Sequence, residues 1–471
     1  MGGSVAMRHM EGQGRSRAPA FLPADFAPEP HGGLYQGLYK RLRGFILDGV
    51  WPAGTRLPSS RTLAADLKVS RNTAILAVEQ LVADGWAESR SRSGVYVSAA
   101  QAPTPAPETG VKARASSDLP PFALQRPAAD LFPAQIWKQL QARAWAEIEP
   151  QRLATTDAAG DPALREAIAR LVCGPRGMRC HPDQIVVVPT ATAAIDLIAG
   201  TLLRPGDTAL VENPGRPAVR QSLVARGARL QPIRTDALPP ARLACVASAT
   251  RFPGGEALDR EGRARLLGWA RATNGCIIED DRDADLWFDA PPPPPLAAEN
   301  GERVLLVGSF NRILFPGLCV AFLVAPLPLV ERLRAANAIA GGRASLASQL
   351  ALREFIGDGH FARHLRRRRQ AYQERREALI DCLGDLVDRE HINTAGTYLA
   401  VHVGAGRARA LADRLAAERL GGAAIDDFMI EGEAGADLLI GLGLSPEAIL
   451  DEGPRLAAVI RSELSSAREQ R

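Results

Sequence analysis

Two groups of residues in this chain have types and spacing that could do chemistry. The first is Arg71-Asn72-Thr73, directly behind Ser70. A guanidinium, an amide and a hydroxyl at the mouth of a helix suit the phosphates and base edges of a major groove. The second group is set by what surrounds it. Lysine occurs only at Lys40, Lys68, Lys112 and Lys138, so arginine supplies 53 of the 57 basic residues. Beyond Lys138 there is no side-chain amine to form an imine. Arginine does not replace it, because its guanidinium stays protonated and is not nucleophilic. That lysine-free part carries a dense charged run, Asp280-Asp281-Arg282-Asp283. The six cysteines contain no CxxC pair, and Cys173, Cys180 and His181 fit no standard zinc spacing.

The elements that position the first group are legible. Leu57 to Thr73 reads as a helix, a tight turn and a second helix. Ser59 or Ser60 can cap the first helix and Ser70 the second, since a serine hydroxyl accepts a bond from an orphaned backbone N–H. Leu63, Ala64 and Leu67 recur at helical spacing. Residues 34–47 form an amphipathic helix upstream, followed by the turn 51–56. The second helix continues through Ala83 and is stopped by Asp84-Gly85. Trp86 to Arg90, the turn Ser91-Arg92-Ser93-Gly94, and Val95-Tyr96-Val97 form a two-stranded wing. Residues 34–97 closely resemble the winged helix-turn-helix of the GntR superfamily. The resemblance implies that Arg61, Arg71, Asn72 and Thr73 touch DNA, with Arg92, Ser93 and Gly94 at the wing tip. Two heads on a dimer are then expected to read two half-sites of double-stranded DNA.

At 471 residues the chain is too long for that module alone. A net charge of +4 excludes a general polyanion binder, so charge for DNA must be local. No run of about 18 apolar residues offers a membrane span, and the N-terminus lacks a signal-peptide core. A cytoplasmic protein is expected. Residues 1–30 read as a flexible tail, 31–98 as the winged-helix domain, 99–118 as a Pro-rich linker, 119–465 as one large domain and 466–471 as a second tail.

In the large domain short apolar runs alternate with helices. The runs lie at 184–188, 208–212, 243–248, 276–279, 304–307 and 320–325. Continuous apolar runs between helices predict an α/β fold with a mostly parallel sheet covered on both faces. Long helices are expected at 328–356 and 360–385, then a smaller α+β region with a strand at 398–403. The runs Arg366-Arg367-Arg368-Arg369 and Arg375-Arg376 read as a solvated or interface-facing surface, with a second DNA contact as the alternative.

Several stretches resemble a fold-type I aminotransferase: 164–169, 204–207, Val211-Glu212-Asn213-Pro214-Gly215, Ile278-Glu279-Asp280-Asp281 and 307–316. A GntR head linked to such a domain is the architecture of the MocR (GabR-like) transcriptional regulators. That resemblance implies a head-to-tail homodimer, pyridoxal 5′-phosphate (PLP) as cofactor, and an effector-sensing role without turnover. The cofactor residues depart from the pattern. Arg312, in Ser309-Phe310-Asn311-Arg312, stands where the resemblance places the Schiff-base lysine. Cys319 stands for the phosphate-binding arginine, Arg282 for a tyrosine, Arg216 for the stacking aromatic and Thr190-Ala191-Thr192 for a Gly-Ser loop. The tyrosine expected near Thr155 is absent. Asp280, the pyridinium partner, remains. The sequence therefore predicts a regulator that is not an enzyme and has no Schiff-base PLP. The former pocket, with Asp280, Arg282, Arg312, Arg216, Asn213, Ser309 and also Arg251, has two readings. Either it binds a small anionic effector, or its arginines pair internally with the acidic cluster. The alternative function is a PLP-dependent aminotransferase or a PLP-responsive regulator of the same architecture.

Overall fold

The computed structural model describes residues 34–469, apart from 92, 99–118, 155–156, 235–237, 289–290, 390–391, 394 and 433–434. The expected tail 1–30, the linker 99–118 and Arg92 lie outside the described residues. The chain divides into two compact units between residues 114 and 115.

In the first unit, α1 (Leu34–Leu47), α2 (Ser60–Asp66) and α3 (Arg71–Ala83) precede a hairpin of β1 (Ala87–Arg90) and β2 (Gly94–Val97). The Ser59 hydroxyl accepts from the Thr62 N–H at 3.1 Å, and Ser70 from the Thr73 N–H at 3.0 Å. These bonds satisfy donors that each helix leaves open. Leu38, Leu42, Trp51, Leu63, Ala77 and Leu81 make a small closed core. The sequence reading missed a third wing strand. Thr55 to Leu57 lies beside β2, with Leu57 N–H donating to Val95 O and Val97 N–H to Thr55 O, both at 2.8 Å.

The second unit opens with α4 (Ala134–Ala146), α5 (Pro150–Ala154) and α6 (Pro162–Cys173). It continues with β3 (Ile185–Val188), α7 (Ala191–Leu202), β4 (Thr208–Val211), α8 (Pro217–Ala225), β5 (Arg229–Pro232), β6 (Leu243–Val246), α9 (Arg260–Thr273) and β7 (Cys276–Asp280). Then come α10 (Leu296–Glu299), β8 (Val304–Ser309) and β9 (Ala321–Val324). The strands form one seven-stranded sheet in the order β3-β9-β8-β7-β6-β4-β5. Only β9 runs against its neighbours. β3, β6, β8 and β9 are buried along their whole length, which matches a sheet covered on both faces. The edge strand β5 was not foreseen. Its sequence, Arg-Leu-Gln-Pro, is half polar, and it alternates between exposed and half-buried positions.

The remainder is α11 (Leu327–Ala340), α12 (Leu346–Gly357), α13 (His360–Leu383), β10 (Tyr398–His402), α14 (Ala408–Ala417), β11 (Ala423–Ala424), β12 (Asp437–Gly441) and α15 (Pro446–Glu469). The last three strands form an antiparallel sheet in the order β10-β12-β11. The single helix expected over 328–356 is two, because Gly341 adopts a left-handed φ of 65° and ends α11. Of the tail expected over 466–471, residues 466–469 continue α15, and 470–471 lie outside the described residues. The arginine runs on α13 also need correction. Arg366 and Arg367 are exposed, but Arg368, Arg375 and Arg376 are buried. Arg375 donates to Asp130 and to the Gly443 carbonyl, Arg376 to the Asn393 carbonyl, and Arg368 to the Arg312 carbonyl.

Candidate functional site

The DNA-facing candidates of the first unit cluster around two helix starts and one hairpin. Arg71 and Asn72 open α3 and are exposed, and Arg61 is exposed in the first turn of α2. Thr73 is half-buried, and its hydroxyl lies 2.8 Å from that of Ser70. It is therefore partly used in capping. At the wing, Ser93 Oγ lies 2.7 Å from the Tyr96 hydroxyl. Gly94 holds a φ of 113°, a conformation that favours glycine.

In the second unit, the carboxyl ends of β4, β6 and β7 carry the charged residues singled out in the sequence. Asp280 ends β7, and its Oδ1 accepts from Arg282 Nε at 2.7 Å. Arg216 precedes α8, leaves that helix uncapped, and sends its guanidinium to Asp283. Its Nε lies 3.8 Å from Asp280 Oδ2. Arg312, in the turn after β8, places Nε 2.8 Å from Asp283 Oδ1 and also bonds the Thr397 hydroxyl. Three guanidiniums thus surround two carboxylates. Burial pushes Asp283 up, but Arg216, Arg312 and Arg282 outweigh it and hold the acid below its ordinary range. Beside this cluster Asp281 takes a bidentate pair from Arg176, at 2.6 and 2.8 Å.

Thr397 and the buried Arg368 are members that sequence reasoning missed. Neither carried a signal, since a lone threonine and one arginine in a run of four have no pattern of their own. Asn213 and Ser309 do not join the cluster through their side-chain bonds. Asn213 holds the 430–431 loop, donating to Glu431 O at 2.7 Å and accepting from Ile430 N–H at 2.9 Å. Ser309 Oγ accepts from Asn311 N–H at 3.3 Å. Arg251 sits apart, 3.8 Å from Glu256 and 4.0 Å from Glu212.

A narrow cleft of about 20 Å³ adjoins the cluster, lined by Glu212, Arg216, Arg220, Phe252 and Asp280 among others. Arg220 is committed to the carbonyls of Phe428 and Asp427. Burial pushes Glu212 up to about 7, against the Ala247 N–H bond and the charge of Arg251. Phe252 packs on Phe428 and Tyr398, with ring centroids 4.6 and 5.4 Å apart. After the edge strand β3, Thr190 caps α7 by accepting from Ala193 N–H at 3.0 Å. Cys319 is exposed, and Lys138 is exposed on α4.

Comparison with known proteins agrees with both halves. Residues 34–97 match the model for bacterial regulatory proteins of the gntR family. Residues 126–422 match that for aminotransferase class I and II. The probable rhizopine catabolism regulatory protein MocR of Rhizobium meliloti is 33% identical over 398 residues, covering 78% of this chain and 81% of that protein. The chain belongs to the MocR class of transcriptional regulators. The HTH-type regulator TauR of Rhodobacter capsulatus is also 33% identical, with 76% and 81% covered. The pyridoxine biosynthesis regulator PdxR of Corynebacterium glutamicum is 29% identical, with 78% and 82% covered. Among solved structures, a kynurenine aminotransferase of Pyrococcus horikoshii superposes with a TM-score of 0.66 at 19% identity, covering 74% of this chain and 92% of that one. At that identity the likeness concerns the fold. This MocR-class chain is a DNA-binding regulator of transcription with an aminotransferase-like domain. None of its described helices is long and apolar enough to cross a membrane.

Proposed function

We propose that this MocR-class regulator acts in the cytoplasm as a homodimer, without Schiff-base PLP and without transaminase activity. The observation that carries the proposal is the ion cluster of Asp280 and Asp283 with Arg216, Arg282 and Arg312. The domain's family normally takes PLP, which needs a lysine amine, a free carboxylate for its ring nitrogen, and donors for its phosphate. The residues present do not fit it. Arg312 offers no amine, and its guanidinium is engaged by Asp283 and Thr397. Asp280 is already paired with Arg282. The side chain of Arg216 is directed to Asp283. Cys319 brings no charge to the phosphate side.

Each head then reads one half-site through Arg61, Arg71, Asn72 and Thr73, with Ser93, Gly94 and the undescribed Arg92 at the wing tip. The aminotransferase-like domain is the dimerising unit in this reading, in the head-to-tail pair that the resemblance implies. One observation favours a further reading, a small anionic effector. Three guanidiniums face two carboxylates, and Arg282 Nη2 is buried without a hydrogen-bond partner among the described residues.

The test is a spectral titration of the full-length protein with PLP, with and without borohydride, followed by mass measurement. No visible band and no adduct are expected. A borohydride-fixed adduct on the large domain refutes the proposal. Sedimentation should give a dimer. A panel of carboxylates and phosphate esters, scored by melting temperature and by operator affinity, decides the effector reading.

A further inference from the structure

The third wing strand exposes a guanidinium that the motif reading passed over. Arg56 pairs with Tyr96 across an antiparallel bridge, and Tyr96 pairs in register with Glu88. Directly paired residues share a sheet face, so Arg56, Tyr96 and Glu88 lie on one side of the wing. Thr55, Leu57, Ala87 and Val97 occupy the other side and are buried. Gly94 and Arg90, two residues along, belong to the same outward face as Arg56.

That face holds two guanidiniums and one carboxylate. Arg90 takes the carboxylate, with Nη2 2.6 Å from Glu88 Oε1, and lies over the Tyr96 ring. Arg56 is exposed and has no carboxylate partner among the described residues. Its side chain leans along the wing toward the tip. A Cβ built on Gly94 would meet Arg56 Nε at 3.0 Å and Nη2 at 3.3 Å. The bare glycine is what lets the guanidinium lie there. On its chain-forward side, Leu57-Pro58-Ser59 leads into the start of α2 and Arg61. The free charge thus sits between the wing tip and a helix start.

We propose that Arg56 is a DNA-backbone contact, its guanidinium held on Gly94 to neutralise one phosphate flanking the groove that the wing enters. The proposal rests on the reading that α3 and the wing tip form the DNA face. A phosphate contact adds affinity and salt dependence without sequence information. Glu88 gives its Oε1 to Arg90, which donates through Nε at 2.8 Å and Nη2 at 2.6 Å.

The test uses the full-length protein and two duplexes, one selected by the wild type from a randomised pool and one unrelated. The variants are Arg56→Met, which keeps the apolar stem, Arg56→Lys, and Arg71→Ala as a marker of the face. Melting curves check that each is folded. Arg56→Met should weaken binding to both duplexes equally. Losing one phosphate contact lowers the salt slope by about 0.9, so a fourfold rise in salt should weaken this variant roughly 3.5-fold less than the wild type. Arg56→Lys should keep the slope. An unchanged slope in Arg56→Met, or a loss confined to the selected duplex, overturns the assignment. If Arg71→Ala also binds normally, the DNA face itself is misassigned, and that failure is distinct.

Discussion

Arg312 and Asp283 face each other at 2.8 Å across the carboxyl edge of the seven-stranded sheet. Arg216 reaches the other oxygen of the same carboxylate, and Arg312 also bonds Thr397 just before β10. The pair therefore ties the large sheet to the small antiparallel one. Removing the acid should cost more than removing either base. Asp283→Asn leaves three guanidiniums facing Asp280 alone, and the expected loss is about 3–5 kcal/mol, the range for stripping one partner from a buried pair. Arg312→Ala should cost only about 1–2 kcal/mol, because a third of its side chain is in solvent and is screened. Urea unfolding of the two variants checks the order. Equal losses would show that the cluster is not centred on Asp283.

Acidity should move stability in opposite directions at two sites. His364 is buried, its Nε2 lies 2.8 Å from the Ile313 carbonyl, and burial pushes its pKa down to about 4. Its neutral form is favoured in the fold. The stability this supplies is complete above about 6.5 and is lost as pH falls toward 4. Glu212 is raised to about 7. Its protonated form is favoured, so that contribution is complete below about 4.5 and is lost as pH rises through 7. Both terms act between about pH 4 and 7 and oppose each other there. His364→Gln should therefore make stability fall more steeply as pH rises through this window, and Glu212→Gln should make it rise more steeply, each by roughly 3 kcal/mol at full effect. Denaturant midpoints from pH 4 to 9 measure both. Parallel curves for wild type and variants would remove these groups as the cause.

Gly308, one residue before Ser309 on β8, is a steric requirement. A Cβ there would lie 2.3 Å from Cζ of the Phe322 ring on the antiparallel neighbour β9. Phe322 packs on Phe310, which faces Phe361 of α13, so the ring has little room to retreat. Gly308→Ala should cost about 1–3 kcal/mol as an overpacked core. Gly308→Ala/Phe322→Leu should recover part of it. A single variant as stable as the wild type would show that the ring moves freely.

The head and most of the sheet were legible because their signals are local. Caps, a glycine stop and unbroken apolar runs each depend on a few adjacent residues. What escaped depended on distant partners. Arg368, Arg375 and Arg376 look like surface charge in a run, yet their acceptors lie elsewhere in the chain: Arg312 for the first, Asp130 and Gly443 for the second and Asn393 for the third. β5 escaped because an edge strand needs no apolar run. Arg56 escaped because its strand is defined by bonds to β2 and not by its own sequence. At the pocket, the substitutions were visible but their pairing was not. Sequence left ligand binding and internal pairing open, and only the geometry shows Asp280 and Asp283 already engaged.

The same engagement decides what restoring one lysine would do. Arg312→Lys puts an amine where the resemblance places the Schiff-base residue. Asp283 would hold that amine as an ammonium, and only the neutral amine attacks a carbonyl. Asp280 would remain paired with Arg282, and Cys319 would still leave the phosphate side without a guanidinium. The variant should therefore fold, lose little stability, and take up PLP no better than the wild type. Absorbance after PLP addition and mass after borohydride measure this directly. If Arg312→Lys alone gained a stoichiometric, persistent adduct, then one side chain would be all that excludes the cofactor, and the ion cluster would be incidental to its loss.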